Sequence, residues 1–135
     1  MSSENPPAGP TPATMKLPSR LGAPEAHSMA AKQTLLLVDI RTPGEWQKTG
    51  MPEGVVGLTV KGPEFVDQLL ELMGGDKGHP VALICATGNR SAQVQNYLLA
   101  NGFSQISDVN EGMMGNSMSG PGWILRGLPT ETFAG

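Results

Sequence analysis

A single cysteine, Cys85, lies where the sequence could place a nucleophile. It follows a short apolar run, residues 81–84, that has the length and composition of a buried β-strand. A loop of small and polar residues comes next and leads into a segment with helical spacing, in which Val94, Tyr97 and Leu98 fall on one face and which ends at Asn101–Gly102. The pattern predicts a thiol at the carboxyl end of a strand and just before a helix, where open α/β sheets bind ligands.

The predicted loop favours the thiolate form of Cys85. Free N–H groups and the positive end of the dipole at a helix start stabilise a nearby anion. Gly88 allows backbone angles with which successive N–H groups can surround an anion, and Arg90 adds a permanent positive charge. Because the thiolate is the nucleophilic form, the loop predicts covalent catalysis by Cys85. The alternative is a buried structural cysteine, which is the usual state of a free thiol.

Three motifs of the chain resemble those of single-domain rhodaneses, which are sulfurtransferases. Residues 85–91, Cys-Ala-Thr-Gly-Asn-Arg-Ser, resemble the active-site loop of that family. Asp39 and Arg41, followed by the pair Glu45–Trp46, resemble its first signature, an Asp-x-Arg with an acidic-aromatic pair. Residues 127–129, Gly-Leu-Pro, resemble its usual ending. The three motifs occur in the same order as in members of that family, and the similarity covers most of the chain.

Strand patterns at residues 35–39, 55–60, 81–84 and 105–109 alternate with helix patterns at residues 24–32, 63–73 and 90–102. A further short helix is predicted to start at Pro43, since Thr42 and Glu45 have the spacing of a capping box. This alternation predicts an α/β fold in which helices cover both faces of a parallel sheet. The resemblance implies the same three-layer architecture, with about five strands and with Cys85 at the end of a central one. We expect residues 23–135 to form this rhodanese-like domain. Residues 1–22 are rich in proline and poor in apolar residues, which predicts a flexible tail.

The resemblance implies that Cys85 takes a sulfane sulfur from a donor such as thiosulfate and becomes a persulfide. A thiophilic acceptor, cyanide or a thiol, would then remove the sulfur. Cys85 and Arg90 would be catalytic, with Arg90 orienting the anionic donor or making the loop rigid. The substrate-binding residues would be those of the loop: Ala86, Thr87, Gly88, Asn89, Arg90 and Ser91. This chemistry needs no metal and no organic cofactor.

Asp39 and Arg41 are ionisable residues directly after a predicted strand. We interpret them as structural support, through an ion pair or backbone hydrogen bonds that fix the turn, rather than as catalytic residues. The resemblance also implies an architectural role for them.

Two other functions fit parts of the pattern. Phosphatases and arsenate reductases also place a cysteine and an arginine on a strand-loop-helix unit, but with five residues between them. Here four residues, 86–89, separate Cys85 from Arg90, which suits a single sulfur better than a tetrahedral oxyanion. The other alternative is a non-enzymatic rhodanese-like module that carries sulfur or binds a partner. Such modules often lose the cysteine, which this chain keeps.

Composition limits the partners that we expect. The formal net charge is −3 and there is no basic stripe, which argues against nucleic acid. One cysteine excludes an internal disulfide and a multi-cysteine zinc site. No apolar run has the length of a signal peptide, so we expect a cytoplasmic protein without membrane contact, and a monomer. Its partners would be a small-molecule sulfur donor and a thiophilic acceptor, with a protein thiol as one candidate acceptor.

The segment between Gly112 and Trp123 is longer than the family pattern by about six residues in our alignment. It is rich in glycine, serine and methionine. Residues 113–122, called here the Met113–Gly122 segment, have two interpretations. They form a mobile flap beside the mouth of the site, or a solvated surface insertion in which methionines fill local gaps.

Overall fold

The computed structural model describes residues 16–133. Within this range the helices are α1 (Ala23–Ala31), α2 (Pro43–Thr49), α3 (Glu64–Leu72), α4 (Asn89–Ala100) and α5 (Gly122–Leu125). The strands are β1 (Arg20–Leu21), β2 (Leu36–Asp39), β3 (Met51–Pro52), β4 (Val56–Gly57), β5 (Val81–Ile84), β6 (Ile106–Val109) and β7 (Thr130–Glu131). No helix of this part of the chain combines the length and the apolar character that crossing a membrane requires.

A parallel sheet of five strands, in the order β1-β6-β5-β2-β4, forms the middle layer. β5 lies at its centre, where Val81 is paired with Leu36 of β2 and with Ile106 of β6. All four residues of β5 are buried, which explains their continuous apolar sequence. β3 and β7 form a separate antiparallel pair. The predicted parallel sheet of about five strands is confirmed.

Helices cover both faces of this sheet. On one face Leu37 of β2 belongs to a buried cluster that includes residues of α1 and Trp123 of α5. On the other face its neighbour Val38 belongs to a cluster with Leu69 of α3 and Leu98 of α4. Successive side chains of a strand point to opposite faces, and here both faces meet a helical layer. The three-layer α/β architecture is therefore confirmed.

The start of α2 has the predicted capping box. The Thr42 Oγ1 atom accepts a hydrogen bond from the Glu45 backbone N–H at 3.3 Å. The Glu45 Oε1 atom accepts one from the Thr42 backbone N–H at 3.1 Å. This exchange satisfies two N–H groups that a helix start leaves unpaired, and Pro43 fits the first helical position.

The strand predicted over residues 55–60 is shorter in the structure, where β4 contains only Val56–Gly57. Gly57 packs so closely on Trp46 that a Cβ atom there would lie 2.8 Å from the indole. Beyond it, the Leu58 N–H still bonds the Asp39 carbonyl at 2.9 Å, without a regular ladder. The residues after β4 therefore run beside the end of β2 without forming regular β-structure.

The apolar face predicted for α4 is partly wrong. Val94 and Leu98 are in or against the core, as expected, whereas Tyr97 is 57% exposed. The buried residues of the helix are Ser91, Gln95 and Leu98. Two polar residues replace apolar ones in this row because both have hydrogen-bond partners on the sheet side.

The range predicted as a tail, residues 1–22, reaches too far into the chain. Residues 1–15 lie outside the described part, but Leu17 and Leu21 are buried in the core. Arg20 and Leu21 form β1, the edge strand beside β6. Proline-rich composition does not reveal this contact, since a two-residue strand has no periodicity and its pairing depends on a strand far along the chain.

Candidate active site

Cys85 directly follows β5, the central strand, and is 1% exposed. The loop 86–88 connects it to α4, whose first residue is Asn89. The thiol therefore lies at the carboxyl edge of a parallel sheet and before a helix N-terminus, as the sequence predicts. This position brings the partial positive charge of the helix start towards the sulfur.

Two backbone N–H groups donate to the sulfur of Cys85. The Gly88 nitrogen lies 3.2 Å from Sγ and the Ser91 nitrogen lies 3.4 Å from it. Gly88 has φ +97°, and a Cβ atom there would lie 2.3 Å from the Asn110 carbonyl oxygen, so the turn requires glycine. Donors aimed at one sulfur stabilise negative charge on it, as in a thiolate.

The side chain of Ser91 connects the thiol to a buried carboxylate that the sequence analysis misses. Ser91 Oγ lies 3.4 Å from Cys85 Sγ and donates to Asp108 Oδ1 at 2.5 Å. Burial raises the pKa of Asp108, against the lowering effects of the Ser91 hydrogen bond and the Arg20 charge. The sequence carries one signal for Asp108, since it is an acidic residue inside the strand predicted at residues 105–109.

The predicted catalytic residue Arg90 is bound to Glu45. Its two Nη atoms donate to the two carboxylate oxygens of Glu45 at 2.9 and 2.8 Å. Hydrogen bonding to Glu45 raises the pKa of Arg90, and the bond to Arg90 is the largest cause that lowers the pKa of Glu45 to about 2. Both side chains are partly exposed. Arg90 thus joins the first turn of α4 to α2, a role that suits the predicted stiffening of the loop.

Asp39 and Arg41 form an ion pair that is 1% exposed or less. Arg41 Nε and Nη2 donate to the Asp39 carboxylate at 3.0 and 2.8 Å, and the Arg41 guanidinium also bonds Thr49 Oγ1 and the Gly50 carbonyl. These contacts hold the end of β2 against the end of α2. They are the contacts expected of structural support.

The remaining loop residues contribute mainly through their backbone. The Ala86 and Thr87 carbonyls accept hydrogen bonds from the Met113–Gly122 segment, which lies directly beside the loop. A polar cleft of about 490 Å³ borders this contact. It is lined by residues 87–89 and 116–119 together with Arg20, Ala92, Asp108 and Asn110. The segment therefore lies against the loop that follows Cys85, and its mobility stays a prediction.

Within residues 16–133 no three His, Cys, Asp or Glu side chains lie together in a way that could hold a metal ion. What the site offers is one thiol, backbone donors aimed at its sulfur and a fixed guanidinium nearby. This arrangement can stabilise negative charge on the sulfur of Cys85.

Comparisons with known proteins agree with this geometry. The family model of the Rhodanese-like domain matches residues 22–118. An uncharacterized protein of Rickettsia conorii is 29% identical over 110 residues, which cover 76% of this chain and 88% of that protein. Thiosulfate sulfurtransferase GlpE of Pseudomonas syringae is 28% identical over 89 residues, 66% of this chain and 78% of that protein. The crystal structure of a thiosulfate sulfurtransferase from Pseudomonas aeruginosa superposes with a TM-score of 0.65 at 27% identity. This match covers 84% of the present chain and 20% of the other.

Proposed function

Since the chain belongs to the rhodanese-like domain family, we propose that it is a sulfurtransferase that passes sulfane sulfur through a persulfide on Cys85. The observation that carries the proposal is the pair of backbone N–H groups, from Gly88 and Ser91, that donate to Cys85 Sγ. The similarity to a thiosulfate sulfurtransferase supports thiosulfate as the donor.

In the first step the Cys85 thiolate attacks the outer sulfur of thiosulfate. A new S–S bond forms on Cys85, the S–S bond of thiosulfate breaks, and sulfite leaves with the bonding electron pair. The negative charge passes to the terminal sulfur of the persulfide. The N–H donors at Sγ stabilise the thiolate from which this step starts, with little reorganisation, because the loop is held in position before the reaction.

In the second step a thiophilic acceptor attacks the terminal sulfur. With cyanide the new bond is C–S, the persulfide S–S bond breaks, and thiocyanate leaves while Cys85 returns as the thiolate. A thiolate acceptor would instead leave as a persulfide. Neither step transfers a proton to or from a protein base, so the electrostatic setting of Cys85 is the main activating feature.

The test is thiocyanate formation from thiosulfate and cyanide by the wild type and by Cys85→Ser. We expect the variant to lose the activity, because the chain has one cysteine and a hydroxyl is a much weaker sulfur nucleophile. Both proteins should unfold at similar temperatures, since serine is nearly isosteric at this position. Activity near the wild-type level in Cys85→Ser would refute the proposed function.

A further inference from the structure

Asn116 lies in the Met113–Gly122 segment, and its side-chain amide is fully hydrogen-bonded. Nδ2 donates to the Thr87 carbonyl at 2.8 Å and to the Asn110 carbonyl at 3.0 Å. Oδ1 accepts from the backbone N–H groups of Met118 at 3.1 Å and Ser119 at 2.8 Å. Both donor hydrogens and both acceptor positions of the amide are used. The network thus fixes which end of the amide faces the active-site loop.

The Thr87 carbonyl bound by Asn116 belongs to the peptide whose N–H contacts the sulfur. In a planar trans peptide the C=O and the following N–H point in opposite directions. The Asn116 amide holds the carbonyl end of the Thr87–Gly88 peptide, and the N–H end donates to Cys85 Sγ at 3.2 Å. Asn116, this peptide and the sulfur are therefore linked in one chain of hydrogen bonds.

Local sterics alone do not select this orientation of the peptide. Gly88 has no Cβ, so the preceding peptide can rotate more freely than in front of other residues. The hydrogen bond from Asn116 to the Thr87 carbonyl restricts this rotation and keeps the N–H directed at the sulfur. A hydrogen bond to the carbonyl also polarises the peptide and strengthens its N–H as a donor.

The neighbouring residues act on the loop in the same way. The Met113 N–H donates to the Cys85 carbonyl at 2.9 Å, and the Met114 N–H donates to the Ala86 carbonyl at 2.8 Å. With Asn116, the segment thus binds three successive carbonyls of the loop. The N–H group that follows the third of these carbonyls, that of Gly88, is the one that donates to Cys85 Sγ.

We propose that Asn116 is a positioning residue for sulfur transfer, which holds the Thr87–Gly88 peptide so that its N–H stabilises the thiolate and the persulfide of Cys85. This inference rests on the proposed function for its persulfide part. Under this proposal the Met113–Gly122 segment holds the loop in position, rather than acting as a flap or forming only a surface insertion.

The test uses Asn116→Asp and Asn116→Ala. Asn116→Asp keeps an oxygen acceptor for Met118 and Ser119 but cannot donate to Thr87, and Asn116→Ala removes the donor without adding charge. In both variants we expect a smaller fraction of thiolate than in the wild type at the same pH, because a hydrogen bond to the charged form is weakened. The ultraviolet absorbance of the thiolate, recorded as the pH is raised, measures this ionisation, and Cys85→Ser serves as the blank. We also expect kcat/KM for thiosulfate to fall about tenfold.

Ser117→Ala is the matched control, because Ser117 is exposed in the same turn and lines the same cleft. It should titrate and react like the wild type. Unchanged thiol ionisation in a folded Asn116→Ala would overturn the proposal, even if that variant melted at a lower temperature, since a purely structural role moves only the melting temperature. Thiol ionisation is measured without a sulfur donor. A shifted titration in a protein that transfers no sulfur would therefore refute the proposed function and leave the positioning of the peptide intact.

Discussion

At the scale of single residues, the loop around Cys85 combines residues that are close in sequence with contacts to Glu45 and Asp108, which are distant in sequence. Cys85 and Gly88 are recognisable because a thiol, a glycine turn and a helix start are close in sequence. Glu45 and Asp108 reach the loop from elements that are distant in sequence, so no local pattern reports them. Glu45 also completes the capping box at Thr42. That local role is sufficient to explain a glutamate at this position, so the sequence gives no reason to expect its bond to Arg90.

The bond between Glu45 and Arg90 predicts a pH-dependent contribution to stability. The folded-state pKa of Glu45 is lowered from 4.5 to about 2. A carboxylate with a lowered pKa stabilises the folded protein above its unfolded-state pKa, and this is lost as the pH falls through the folded-state pKa. We expect Glu45→Gln to reduce the free energy of unfolding at pH 7 by about 0.5–1 kcal/mol, the range of a partly exposed pair.

Denaturant unfolding of the wild type and Glu45→Gln between pH 7 and pH 2 measures this difference. The difference should be constant down to about pH 5 and should shrink towards pH 2. Glu71→Gln is the matched control for the change of charge, because it makes the same substitution at an exposed position of α3. A Glu45→Gln difference that stayed constant to pH 2 would contradict the depressed pKa.

At the scale of elements, the prediction is accurate where a strand or helix has a periodic pattern of its own. The buried strands β2, β5 and β6 and the helices α1 to α4 lie within one or two residues of the predicted ranges. Three of the four two-residue strands within residues 16–133, β1, β3 and β7, have no such pattern, because they form only by pairing with residues that are distant in sequence. The sequence leaves the role of the Met113–Gly122 segment open for the same reason, because its contacts are with residues that are distant in sequence. Its composition suggests a loose loop, whereas Asn116 has partners on the active-site loop.

At the scale of the whole molecule, the sheet places Cys85 at its centre. Residues 17–21 contribute the edge strand β1 and two leucines of the hydrophobic core. Leu17 and Leu21 are buried with Trp123 on the face that α1 and α5 cover. β1 also pairs with β6, which contains Asp108. The N-terminal edge therefore supports the strand that holds the partner of Ser91.

This packing predicts that removing residues 1–22 destabilises the fold more than removing residues 1–15. The longer truncation removes two buried leucines and the edge pairing, which should cost about 2–5 kcal/mol of unfolding free energy. Denaturant unfolding of the two truncated proteins isolates the contribution of residues 16–22. Equal stability of the two would mean that the N-terminal edge contributes nothing and that the domain starts after Gly22.

The most direct measurement of the central claim is the intact mass of the protein after incubation with thiosulfate and removal of excess donor. The persulfide mechanism predicts that the wild type gains the mass of one sulfur atom and returns to its original mass after cyanide is added. Cys85→Ser should keep its original mass throughout. A wild type that gains no sulfur, or a Cys85→Ser protein that gains it equally, would contradict sulfur transfer through Cys85.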